Sequence, residues 1–118
     1  GFARQRLPKG DPTFGDLLNE RGILRKYQGR FAESEAQYRK ARPLVERVYG
    51  PGSVEMSVLL HNLGGIAHAR GHHRRAETFA RAGLRLRIAL EGPGSVPVAA
   101  DRAALAAILD VRGKVAEA

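Results

Sequence analysis

The sequence GPGSVEM at Gly50–Met56 returns as GPGSVPV at Gly92–Val98, 42 residues further along the chain. A loop that occurs twice can be a coincidence, a binding loop in two copies, or the junction between two copies of a structural repeat. These three interpretations predict different functions. The residues on either side of the loop decide between them.

The offset of 42 residues persists well outside the loop. Comparison of residues 15–56 with residues 57–98 gives 12 identities in 42 positions. Some positions recur a third time, as the glycines at 29, 71 and 113 do. A period of roughly 20–50 residues indicates stacked supersecondary units, each packed on its neighbours. The loop is therefore interpreted as a junction between repeats.

Each repeat is predicted to contain two helices. In residues 54–70, apolar side chains follow one another at spacings of one, three and four, which is typical of one helical face. Ser53 suits the N-cap of this helix, and Gly71 suits its C-terminal turn. Short connections between such helices favour antiparallel hairpins. The pattern predicts helices near 13–28, 31–49, 54–70, 73–91 and 96–112, with 114–118 as the first turn of another helix.

Small residues recur at fixed positions within the predicted helices. The first helix of each unit carries Gly22, Gly64 or Ala106, and the second carries Ala41 or Gly83. A glycine or alanine at such a position allows two helices to approach closely. We interpret these residues as packing positions rather than as parts of a ligand site.

Two runs of residues share one pattern along the repeat, Leu63-Gly64…Gly71…Ala76…Phe79-Ala80…Gly83 and Gly22…Gly29-Arg30-Phe31…Tyr38…Ala41. These runs resemble the tetratricopeptide repeat. The period of 42 residues is longer than the usual period of about 34, and in this the chain is similar to the kinesin-light-chain variety of that family.

The resemblance implies an all-α fold, in which antiparallel helix hairpins stack as a right-handed α-solenoid of about five helices. Residues 1–118 would form a single repeat domain. Within it, residues 1–12 would end a preceding repeat, 13–50 and 51–92 would form two full repeats, and 93–118 would begin a third.

Some residues depart from the family pattern. Arg21 and Arg25 stand in the first repeat where apolar residues stand in the later ones, which weakens the apolar face of that helix. Pro43 falls inside a predicted helix, and an interior proline removes one backbone hydrogen bond. We therefore expect a kink at Pro43 or a break near Arg42.

The resemblance also implies a function in protein–protein interaction. In this family the first helices line a concave groove that receives a peptide or protein partner, while the second helices form the outer surface. Asn62 matches the recurring groove asparagine, whose amide can both donate to and accept from a peptide backbone. Carried over by position, the partner-binding residues are Asn19, Glu20, Ile23, Lys26, Tyr27, His61, Asn62 and His68.

The basic character of the chain lies mostly outside this groove. The net charge is +8, and residues 71–91 alone carry +3, whereas residues 50–70 are neutral. This distribution disfavours a simple basic groove for acidic peptides. Nucleic-acid binding through the outer arginines remains an alternative, although aromatic residues for base stacking are few and are not interleaved with the basic ones.

The run HARGHHRR at 68–75 is rich in histidine and arginine. We expect no metal site there, because the histidines are split by a helix end and no nearby carboxylate completes a ligand set. Arg70, Arg74 and Arg75 form a candidate contact for a phosphate or an acidic side chain. No cofactor motif and no catalytic motif is present, so the chain is not expected to be an enzyme.

The last predicted helix supports a further alternative, self-association. It is rich in alanine and lacks a hairpin partner, and an uncapped end of a solenoid favours docking of a second copy. The chain is expected to be a fragment of a larger scaffold or regulatory protein. The absence of cysteine and of a long apolar segment favours the cytoplasm, and the richness in arginine, alanine and glycine favours a bacterial source.

Overall fold

A computed structural model describes residues 14–117 of the chain, without the side chains of 112 and 114–117. This part folds into helices only, without a strand, as the sequence predicts. The helices are α1 Phe14–Tyr27, α2 Phe31–Tyr49, α3 Val54–Ala69, α4 His73–Glu91 and α5 Val96–Glu117. The expectations for residues 1–12 lie outside the described residues.

The helices pack as two hairpins with a fifth helix added. The most extensive contacts join α1 to α2 and α3 to α4. Contacts of α2 with α3 and of α4 with α5 connect the successive units, and α1, α3 and α5 touch in turn. The first helices of the units therefore lie side by side, and the predicted helical-repeat solenoid is confirmed.

The repeated loop ends one helix and starts the next. Gly50 and Gly92 take φ angles of +97° and +84°, which side chains rarely adopt, directly after α2 and α4. Ser53 accepts a hydrogen bond from the Met56 backbone N–H at 3.1 Å, as expected of an N-cap, and Ser95 repeats this contact in front of α5. The Ser53 backbone N–H also donates to the Gly50 carbonyl oxygen at 3.3 Å, so Pro51 and Gly52 form the turn between the two helices.

Two predicted helix boundaries differ from the structure. The predicted break near Arg42 is wrong, because α2 continues through Pro43. Pro43 is exposed, whereas Ala41 and Val45 on the opposite side of α2 are buried in the core and hold the helix in place. The end predicted at 112 is also wrong, because α5 continues through Gly113, which does not take the positive φ that Gly71 takes at the end of α3.

The buried core extends across the junctions between the units. One cluster joins α1 and α2 to α3, and its largest fully buried members are Tyr38, Leu59, Leu63 and Ile66. A second cluster joins α3 and α4 to α5 through Ala67, Ala76, Ala80, Leu105 and Ile108. Each unit is therefore stabilised by burial against its neighbour, as expected of a solenoid.

The predicted close approaches occur at the helix glycines. A Cβ atom on Gly22 would lie 2.4 Å from the Tyr38 ring. A Cβ atom on Gly64 would lie 3.2 Å from the Ala80 backbone nitrogen, and one on Gly83 would lie 3.3 Å from the His61 backbone nitrogen. Gly64 and Gly83 let α3 and α4 meet almost backbone to backbone, and Gly22 lets the Tyr38 ring of α2 lie against the backbone of α1.

The two junctions between units differ in chemistry. Val45 and Leu59 are buried in the apolar core where α2 meets α3. The residues 42 positions later, where α4 meets α5, are Arg87 and Asp101. Both residues are buried, and Arg87 Nε lies 3.5 Å from Asp101 Oδ2. The other carboxylate oxygen, Asp101 Oδ1, lies 2.9 Å from His61 Nδ1. The second junction thus replaces an apolar contact with an ionic one.

Gly22→Ala is expected to destabilise the fold by about 1–3 kcal/mol, because the new methyl group overlaps the buried Tyr38 ring. The matched control is Gly113→Ala, since Gly113 is also helical but has open space around its Cβ position. That change should stabilise the fold by up to about 1 kcal/mol. Urea unfolding followed by circular dichroism measures both, and equal effects would contradict the close approach.

Arg87→Val and Asp101→Leu are each expected to destabilise the fold by about 3 kcal/mol, because either change removes one member of a buried pair of opposite charges and leaves the other less compensated. The double variant restores at the second junction the residues of the first, and its stability should return close to that of the wild type. A double-mutant cycle in urea measures this coupling. Simple addition of the two single losses would contradict it.

Candidate functional site

Two depressions lie between the first helices of the two hairpins, and we call this region the α1–α3 cleft. The larger has a volume of about 560 Å³ and lies towards the C-terminal ends of α1 and α3. The smaller has a volume of about 190 Å³ and lies towards their N-terminal ends. The larger is lined by Ile23, Lys26, Tyr27, Phe31, Tyr38, His61, Asn62 and Ala69, and the smaller by Asp16, Asn19, Val45, Val54, Glu55, Val58 and Leu59.

A pair of asparagines bridges the cleft. Asn62 Nδ2 on α3 donates to Asn19 Oδ1 on α1 at 2.9 Å. Each asparagine lines one of the two depressions, so the pair stands between them. The bond engages one donor of Asn62 and one acceptor of Asn19, and it leaves the Asn19 amide donors and the Asn62 carbonyl oxygen for other partners.

The larger depression presents an aromatic surface beside an ammonium group. Tyr27 is 87% exposed, which is unusual for a large aromatic side chain, and Phe31 lies next to it at the start of α2. Lys26 extends across the cleft to α3, since its Nζ lies 3.2 Å from the position of a Cβ on Gly65. The turn at Gly29 brings Phe31 back beside Tyr27.

The smaller depression is acidic. Asp16 and Glu55 lie in the first turns of α1 and α3. The Tyr49 hydroxyl donates to Asp16 Oδ2. This hydrogen bond, with smaller contributions from burial and from the charges of Asp16 and Glu55, raises the pKa of the Tyr49 phenol above its usual value of 10.0. The phenol is therefore a neutral donor at physiological pH, and it fixes the position of the Asp16 carboxylate.

The structure brings together most of the residues predicted for the groove. The larger depression collects Ile23, Lys26, Tyr27, His61 and Asn62, and Asn19 lies on the other side of the asparagine bridge. Glu20, which is exposed, and His68, which is half-buried, line neither depression.

His61 differs from the other predicted groove residues because its ring contacts a buried side chain of α5. Its Nδ1 lies 2.9 Å from the buried carboxylate of Asp101 on α5, beside Arg87. The sequence analysis did not identify this cluster. A signal was present, since the 42-residue offset places an arginine and an aspartate where the first junction has valine and leucine.

Sequence reasoning also missed several lining residues that come from second helices or helix starts. The missed residues are Phe31, Tyr38, Val45, Val54 and Glu55. A rule that assigns the groove to the first helices cannot find Phe31, Tyr38 and Val45, because these residues belong to α2. The short turn after α1 was the available signal for Phe31.

The arginines predicted to contact an anion surround a carboxylate of the chain itself. Glu35 is buried, and Arg70 Nη1 donates to its Oε1 at 2.6 Å. Arg75 lies 3.7 Å from the other Glu35 oxygen and also contacts His72. Arg74 is exposed to solvent. Two of the three arginines thus join α2 to the α3–α4 turn through Glu35.

The described part of the chain offers neither a metal site nor a membrane span. In residues 14–117, no group of three or more histidine, aspartate and glutamate side chains is arranged to hold a metal ion. None of the helices described there has both the length and the apolar character that a bilayer span requires.

Comparison with known proteins places these features in a family. The model of the tetratricopeptide repeat matches residues 14–89, which include the whole α1–α3 cleft and all of the two hairpins except the last two residues of α4. The chain has no significant match among curated proteins. Tetratricopeptide repeats generally mediate protein–protein interactions and are typically not catalytic. From the match and from the packing of its hairpins, the chain belongs to the tetratricopeptide-repeat family.

Proposed function

We propose that the chain is a protein-interaction module, and that the α1–α3 cleft binds an extended segment of a partner protein. The exposure of Tyr27 above a depression flanked by the Asn19–Asn62 pair carries this proposal. The module would act within a larger scaffold or regulatory protein and would perform no catalysis of its own.

The aromatic surface supplies the affinity in this proposal. Tyrosine is enriched among the residues that dominate binding energies, because it buries a large rigid surface and keeps a polar end. The Tyr27 side chain is almost fully exposed in the free chain, so the binding of a partner would bury nearly all of its surface. Ile23 and Phe31 extend the same surface beside it.

The asparagine pair supplies contacts that do not depend on the partner's side chains. An extended peptide presents alternating N–H and C=O groups, and the free amide groups of Asn19 and Asn62 match one of each. Since the pair already bonds to itself across the cleft, its geometry is set before a partner arrives. Such preorganisation lowers the entropic cost of binding.

The remaining predicted residues fit at the edges of this site. Glu20 and His68 would contact partner segments that extend beyond the cleft. Arg74 is the arginine best placed for an acidic group of the partner, because Arg70 and Arg75 already pair with Glu35. A partner anion at Arg70 or Arg75 would have to displace that buried carboxylate.

Tyr27→Ala is expected to weaken the binding of peptides selected from a random displayed library by about 30-fold, as the loss of a dominant interface residue does. Asn62→Ala should weaken the binding of the same peptides by about five- to tenfold, because the amide contacts are lost. Fluorescence polarisation with the selected peptides measures both. Leu90→Ala is the control, since Leu90 is 41% exposed on α4, away from the cleft.

Unchanged affinity for the selected peptides in both cleft variants would contradict the cleft as the binding site. Thermal unfolding by circular dichroism accompanies the measurement, because Asn62→Ala also removes the bond to Asn19. A loss of affinity counts only where the variant remains folded at the temperature of the assay.

Self-association is the second candidate, and a specific observation favours it. Ala106 on α5 is the equivalent of Gly64, which packs against the backbone of α4, yet Ala106 is exposed. A small residue at a helix-packing position leaves room for a helix of another copy. The neighbouring Ala99 and Ala103 are exposed as well.

Self-association through α5 predicts that the molar mass measured by light scattering rises with protein concentration. Ala106→Glu should then hold the chain at the monomer mass, because a buried carboxylate opposes docking. Ala89→Glu on the exposed surface of α4 is the matched control. A monomer mass at every concentration would exclude this candidate.

A further inference from the structure

We propose that the α1–α3 cleft selects a partner segment whose two ends carry opposite charges. An acidic side chain of the segment lies at Lys26 and Tyr27, and a basic side chain lies at Asp16 and Glu55. The inference rests on the proposed function of the cleft, and it adds the chemistry of the partner and the spacing of its charges.

The two depressions have opposite electrostatic character. The lining of the larger includes Lys26 and His61 and contains neither aspartate nor glutamate. The lining of the smaller includes Asp16 and Glu55 and contains no lysine, arginine or histidine. A segment that crosses the asparagine bridge therefore passes from a cationic environment to an anionic one.

Lys26 provides the cationic end almost alone. His61 contacts the Asp101 carboxylate, and the positive charge of Arg87 is compensated by Asp101 and Glu91, so this cluster adds little positive charge to the cleft. The Lys26 ammonium instead lies over Gly65, at the floor of the cleft between α1 and α3. The absence of a side chain on Gly65 leaves room for the ammonium group itself, because a Cβ atom there would lie only 3.2 Å from Nζ.

The length of α1 sets the spacing of the charges. Asp16 and Lys26 are ten residues apart on one helix, which corresponds to about 15 Å along its axis. An extended peptide advances about 3.3 Å per residue. An acidic and a basic side chain therefore match the two ends of the cleft when they are about four or five residues apart.

The middle and the cationic end add further requirements. Asn19 and Asn62 lie between the two charged ends and present backbone-type donors and acceptors, which favours an extended conformation at this point. Ile23, Tyr27 and Phe31 surround Lys26 with apolar surface. The acidic residue of the segment should therefore have an apolar or aromatic neighbour.

Selection from a random peptide library displayed on phage tests the inference with the full chain. The expected result is enrichment of segments with opposite charges four or five residues apart, in either direction of the peptide. Each matched charge should strengthen binding by about two- to fivefold at low ionic strength, which is the range of exposed ion pairs. The gain should shrink at high ionic strength because of screening.

Charge-reversing variants give the sharper test. Lys26→Glu makes both ends of the cleft acidic, so the same library should now yield segments with two basic residues at the same spacing. Arg85→Glu is the matched control, since Arg85 is exposed on α4, and it should leave the original preference unchanged. Glu55→Gln should reduce the enrichment of the basic residue among the selected peptides by about twofold or more. Glu46→Gln on α2 should leave this enrichment unchanged.

The outcomes separate this inference from the proposed function. If selected peptides lose affinity with Tyr27→Ala but show no charge pattern, or keep their pattern in Lys26→Glu, the charge inference is overturned and the function of the cleft stands. If the wild-type chain enriches no peptides that depend on Tyr27, both are overturned. Enrichment of opposite charges that Lys26→Glu converts to two basic charges establishes the inference.

Discussion

The structure depends on how closely the two helices of a hairpin can approach. At Gly22 there is no room for a methyl group against the Tyr38 ring. At Gly64, a Cβ atom would lie 3.2 Å from the Ala80 backbone nitrogen of α4. The buried Ser34 hydroxyl donates to the Gly22 carbonyl oxygen at 2.6 Å and adds a polar contact to the first approach. Because each hairpin closes this tightly, its first helix is held in a fixed position, and α1 and α3 come to lie side by side.

This arrangement explains how much of the fold follows from the sequence. The spacing of apolar residues, the capping serines and the helix-ending glycines are local features, and they predict the helices and their order. The expectations that failed concern residues whose effect depends on their surroundings. Pro43 would disrupt an isolated helix, but Ala41 and Val45, which precede and follow it in the sequence, are buried and hold α2 in place. Gly113 does not take the positive φ that ends a helix at Gly71, so α5 continues through it.

The candidate site was predictable only in part, for a related reason. Transfer of positions along the 42-residue period identifies the exposed face of α1 and α3, and five of the eight predicted residues meet in one depression. The period does not reveal the contributions of α2, because Phe31 and Tyr38 reach the cleft from the adjacent helix. It also does not reveal that Asn19 and Asn62 bond to each other, since this depends on the distance between two helices 43 residues apart in the chain.

The difference between the two junctions explains why the exposed aromatic and amide groups lie together in the α1–α3 cleft. At the first junction, Asp16, Asn19 and Val45 line an open depression. The equivalent positions at the second junction hold Val58, His61 and Arg87, and the last two meet around the buried Asp101 carboxylate. Charged side chains that are already paired leave neither free amide groups nor an exposed aromatic surface for a partner. The ionic junction therefore fixes α5 against the second hairpin and anchors the far side of His61, while the apolar junction leaves the α1–α3 cleft open. A buried ion pair contributes little net stability compared with an apolar contact, but removal of one partner is costly, so the packing of α5 depends on both charges being present.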